Sequence, residues 1–155
     1  MTQARLSTTN WKSRRGSTYA RALLTCGPCL LLELSVALSK RDSARIERGL
    51  VAALTEACET AKAEIPGFDW LTHTVNYADF PQSLIITWVF DTRANKDQAL
   101  ATGVDARIRE LTAIALHAAD IPPVALKRCV HLDSEEACQA QHGGNWRLRL
   151  TRSAN

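Results

Sequence analysis

Four sets of residues in this chain have types and spacings that chemistry could use. Asp91 and Asp133 each stand at the end of an expected strand. If the helical region between those strands makes a right-handed crossover, the strands are parallel and both carboxylates reach the same end of the sheet. Ligands of α/β sheets often bind there. A carboxylate pair at that end could hold a divalent cation or act as acid and base, the outline of a metal-dependent hydrolase or nuclease. The structural alternative asks less: Asp133 caps a helix, and Asp91 or Thr92 prepares another. Cys129, His131, Cys138 and His142 make a C-x-H and a C-x3-H pair whose side chains are of zinc-binding type. The two pairs sit on different elements and need not face each other. Otherwise Cys138 is core and His142 is a cation at a helix C-terminus. His73 falls on the apolar face of a strand, where an imidazole could serve as general base. No Ser or Cys near it has a nucleophile's setting, so a hydrogen-bonded core or edge histidine is the plainer reading.

The fourth set is basic. Lys127, Arg128, Arg147, Arg149 and Arg152 cluster in the C-terminal unit. If the last two strands are neighbours, these cations make a patch suited to phosphates or to an acidic protein. The alternative is the solvated face of an edge strand, which charge protects from pairing. A further motif, Cys26-Gly27-Pro28-Cys29, has the spacing of thioredoxin redox sites. Thr25 rather than Trp precedes it, and no βαβ unit frames it.

Composition narrows these options. The chain has 155 residues, 46% of them hydrophobic and 23% charged, which suits one globular domain able to bury its own core. The net charge of +3 is unevenly spread. Residues 1–35 carry five basic residues against Glu33 alone, a net of +4. Residues 36–155 carry 14 basic against 15 acidic, a net of −1, so the globular part has no overall basic field. Five cysteines, an odd number without a compact disulfide spacing, point to a reducing cytoplasm.

Residues 1–37 differ in character from the rest of the chain. They can be read as a signal peptide, with Lys12, Arg14 and Arg15 before an apolar run that ends at Ser35-Val36-Ala37. Glu33 inside that run, and Gly-Ser-Thr after the arginines, argue against export. A membrane span is too short and too often interrupted. The preferred expectation is a disordered extension, or a start assigned too early.

Periodicity predicts the elements that would position the candidates. Ile46, Leu50, Leu54, Ala57, Ala61 and Ile65 recur at helical spacing and predict a helix over 44–65, capped by Asp42 or Ser43. Residues 70–77 alternate and 84–90 are apolar on both faces, predicting a hairpin with a central second strand. A helical region over 96–119 is interrupted at Gly103, with Asn95 and Gln98 at capping-box spacing. Residues 127–132 predict a strand, Asp133 a cap, and 134–142 a helix stopped by Gly143-Gly144. Trp146, Leu148 and Leu150 alternate with Arg147 and Arg149, predicting a last strand. The expected fold is α+β in the order α-β-β-α(α)-β-α-β, with helices on one face of a mixed four-stranded sheet. The domain would span 38–150, with 151–155 a tail.

From IPGFDWLTHTVNYADFPQSLIITWVFDT through HLDSEEACQAQHGGNW, the chain resembles a family of small uncharacterised proteobacterial proteins. Some of these carry the label Fis family transcriptional regulator. The resemblance covers about residues 38–150 and implies no catalytic residue. The order α-β-β-α-α-β also resembles type II KH domains, which grip RNA with a GxxG loop between helices. That place here reads Gly103-Val104-Asp105-Ala106. Together these features predict a cytoplasmic, non-enzymatic regulatory module without cofactor, acting through protein contacts. A nucleic-acid-associated regulator using Lys127, Arg128, Arg147 and Arg149 is the first alternative, and the Asp91/Asp133 hydrolase the second. The oligomeric state is left open.

Overall fold

The computed structural model describes residues 38–153; the expectations for residues 1–37, Cys26 and Cys29 among them, and for the side chain of Arg152 lie outside the described residues. Helix α1 (Lys40–Glu64) begins earlier than its apolar stripe suggests, because Ser39 rather than Asp42 or Ser43 is the cap, accepting from the Asp42 amide at 3.1 Å. The stripe is buried: Leu50, Leu54, Ala57 and Ala61, joined by Ala53 and Cys58.

Strand β1 (Phe68–Thr74) pairs antiparallel with β2 (Ile85–Phe90), and β2 pairs parallel with β3 (Val130–Ser134). Among the described residues the sheet thus has three strands, in the order β1-β2-β3, and not the four expected. Between β2 and β3 the chain makes α2 (Arg93–Ala101), α3 (Val104–Ala118) and the short α4 (Leu126–Cys129). The break at Gly103 is as expected, with φ at +76°. Thr92, not Asn95, caps α2, accepting from the Asn95 amide at 3.2 Å. Residues 126–129 coil into α4, so β3 starts three residues later than its apolar pattern suggested.

The C-terminus departs most from expectation. After α5 (Glu135–His142), residues 146–153 form a helix, α6 (Trp146–Ser153), and not a fourth strand. Asn145 supplies a start signal: its Oδ1 accepts from the Leu148 amide at 3.0 Å. Gly143 and Gly144, both at positive φ, turn the chain between the two helices. The helix also runs past residue 150, into the expected tail.

Register sorts the two sheet faces. Leu71, His73, Ile86, Trp88, Phe90, Val130 and Leu132 share the inner face, and the main core joins most of them to α1 and α3. Trp70, Val89 and Asp133 share the outer face. There α6 reaches them: Trp146 meets Trp70 edge-on at 4.9 Å, and Arg149 pairs with Asp133. Helices therefore lie on both faces.

Candidate functional site

The parallel register brings Asp91 and Asp133 to the same end of the sheet, as the crossover argument required. Each is given its own partners there. Asp91 Oδ1 accepts from Asn95 Nδ2 at 2.8 Å and from the Thr92 amide at 2.6 Å. These bonds, Asn95's first, hold its carboxyl below the usual range. Asp133 is gripped by Arg149 through two bonds, Nη2 to Oδ1 at 2.7 Å and Nε to Oδ2. It does not cap α5. Ser134 does, accepting from the Ala137 amide at 3.3 Å.

The cysteine and histidine set is dispersed in the same way. Cys129 is buried at the end of α4, where burial pushes its thiol up to about 11. Cys138 is buried in α5, its thiol raised by burial against the pull of Arg149. Both are poor thiolates in this state. His131 Nε2 lies 3.0 Å from the Arg128 carbonyl, and His142 Nδ1 lies 3.2 Å from Arg149 Nη1. Among the described residues no three His, Cys, Asp or Glu side chains gather as a metal site.

The basic residues divide. Lys127 and Arg128 are exposed on α4, before β3 begins. Arg147 is exposed on α6, while Arg149 turns inward. Besides Asp133, Arg149 donates to Gln141 Oε1 at 2.7 Å and lies 6.0 Å from the centre of the Trp146 ring. Its guanidinium is a structural clamp.

Two groupings escape the sequence patterns. His73 Nε2 lies 3.2 and 3.3 Å from the two oxygens of Glu47 on α1, and the Tyr77 hydroxyl donates to Glu47 Oε2. Tyr77 stands on a 3-10 turn (Tyr77–Asp79) just beyond β1. The bond from His73 holds the Glu47 carboxyl low, against burial and with help from Tyr77. Burial first, then the bond to Glu47, pushes the Tyr77 phenol up. An imidazole, a carboxylate and a phenol thus meet at the junction of α1 and β1. Glu47 lies three residues before Leu50 and seven before Leu54, on the rim of the buried stripe; that spacing was the available signal. The second grouping is Glu135 between two indoles: Trp70 Nε1 donates to Oε1 at 2.6 Å and Trp146 Nε1 to Oε2 at 3.0 Å. No local pattern announces it, because Trp70 and Glu135 are 65 residues apart.

Among the described residues no helix is long and apolar enough to cross a membrane. The chain matches no protein-family model, no curated protein and no solved structure.

Proposed function

We propose that this chain is a small non-enzymatic binding module that acts through protein contacts. One observation carries the reading: Asp91, Asp133 and His73, the side chains best suited to chemistry, are each engaged by partners within the fold. Lys127 and Arg128 stand exposed on α4, and they suit an acidic protein surface. The test is cross-linking of the full chain in extracts of its own cells, with the double variant Lys127→Glu, Arg128→Glu run beside it. A partner captured by the natural chain and lost with the variant supports the reading. No specific partner, together with turnover of a phosphoester abolished by Asp133→Asn in a folded variant, overturns it.

A second reading is favoured by one specific observation. The C-terminal unit is a helix pair joined by a glycine turn, with Arg147 exposed on the second helix. Helix pairs of this kind can present one helix to nucleic acid, and the resemblance to Fis-labelled proteins points the same way. That function predicts binding to duplex DNA that weakens steeply between 50 and 200 mM salt, and weakens further with Arg147→Glu. No change in anisotropy of a labelled duplex at the lower salt excludes it.

A further inference from the structure

Helix α6 is fastened differently from the rest of the domain. Each of α1 to α5 buries at least one side chain. None of the described α6 side chains, Trp146 to Thr151, is buried, and Leu148 is 48% exposed. Its apolar contact is limited to half-buried Trp146, edge-on against Trp70, and half-buried Leu150, and polar bonds add to it. Arg149 grips Asp133 on β3, with the two side chains only 14% and 16% exposed, and Trp146 shares the Glu135 carboxylate with Trp70. The joint before α6 is Gly143-Gly144, both at positive φ, and Gly143 has open space around it.

Val89 and Cys138 are both fully buried and neither is part of the main core cluster; Val89 shares the outer face with Trp70 and Asp133, and Cys138 lies near enough to feel the charge of Arg149. An eight-residue helix is too short to persist alone in water, so once detached α6 would melt and not swing as a rod. Elements with few buried apolar contacts open at lower free energy than the global unit.

We propose that α6 is a latch: it detaches and melts as one cooperative segment beyond the Gly143-Gly144 joint and bares an outer-face seat made of Trp70, Asp133 and Glu135. Closed, Arg149 neutralises Asp133 from within the chain. Open, two carboxylates and an indole face water together, so α6 acts as an internal occupant of an acidic, aromatic seat. The latch does not depend on the protein-contact reading, because its seat uses Trp70, Asp133 and Glu135 and neither Lys127 nor Arg128.

Hydrogen exchange by mass spectrometry on the full chain tests it, with Arg149→Met keeping the stem and removing the clamp. Amides of α6 should exchange at least tenfold faster in the variant, while those of α1 and α3 keep the natural rate. Alkylation of Cys138 should rise in parallel, with Cys58 and Cys129 unchanged, since those two lie in the main core. In the natural chain, 0.5 M salt should shift α6 in the same direction. Equal exchange of α6 and α1 in both proteins overturns the latch. So does a joint acceleration of all three cysteines, which would make α6 part of the global unfolding unit. Trp146→Phe, which keeps an aromatic side chain but loses the indole donor and part of the ring face, should give a smaller acceleration; no change there, beside no change in Arg149→Met, also overturns it.

Discussion

Replacing Tyr77 by Phe removes one bond and keeps the ring. In the native fold the phenol donates to the Glu47 carboxylate, which also faces His73. A hydrogen bond to a charged acceptor contributes about 1.5–3 kcal/mol net when well shielded. The Glu47 side chain is 34% exposed, so solvent screening reduces this to about 1 kcal/mol. For a domain of this size that lowers Tm by about 4 °C. The pH dependence gives a sharper check. The Tyr77 pKa is raised on folding, by burial first and then by Glu47, so its contribution is fully present below the unfolded tyrosine value of about 10. It is lost as pH rises toward the folded value, because the unfolded chain ionises first. Urea titrations followed by tryptophan fluorescence should therefore show Tyr77→Phe less stable at pH 7, with the gap closing above pH 10. A gap that stays constant from pH 7 to 11, or a variant as stable as the natural chain at pH 7, refutes the reasoning.

Other outcomes rest on the same kinds of bond. Glu47 is held low on folding, chiefly by His73, so its contribution is present above the ordinary carboxyl range and lost as pH falls through it; Glu47→Gln should flatten the acid limb of the stability curve below about pH 5. Gly67 has φ at +76°, and an added Cβ would meet the Asn95 side chain at 2.5 Å, so Gly67→Ala should cost about 1–3 kcal/mol in chemical denaturation. Ser134→Ala should cost about 1 kcal/mol through the α5 cap, measured the same way, and Asp133→Asn should release α6 without loosening the α5 N-terminus in hydrogen exchange. Leu54→Ala, on the buried face of α1 and almost fully covered, should cost about 2–5 kcal/mol and leave the α6 latch closed relative to the weakened core.

The central features were legible because they repeat. Six residues of the α1 stripe, and the unbroken apolar run of β2, carry their period over enough length to exclude the alternatives. The last segment does not. Over six residues, Trp146, Leu148 and Leu150 satisfy a period of two. Trp146, Arg149 and Leu150 satisfy a helical period equally well, and those three are the half-buried ones. Asn145 as a cap could have decided it. The cap of α5 was ambiguous for another reason: Asp133 and Ser134 are both good caps, and only the distant Arg149 takes Asp133 out of competition. Candidate residues were legible as types but not in their roles. His73 was visible on its strand face, whereas its partner Glu47, and the Tyr77 that donates to Glu47, come from two other elements. Arg149 looked like a surface cation because its acceptors lie across the α5–α6 turn and on β3.

The start of β1 holds one residue more than its partner strand requires. Phe68 pairs with Phe90 and Trp70 with Val89, leaving Asp69 unmatched and exposed. The extra residue lets Phe68 and Leu71, three positions apart, both point into the core. Asp69 is thus a spare tooth in the zip. Excising it would leave Phe68 facing inward and Trp70 outward, so this strand should tolerate a one-residue deletion there, and nowhere else along its length without turning its side chains inside out.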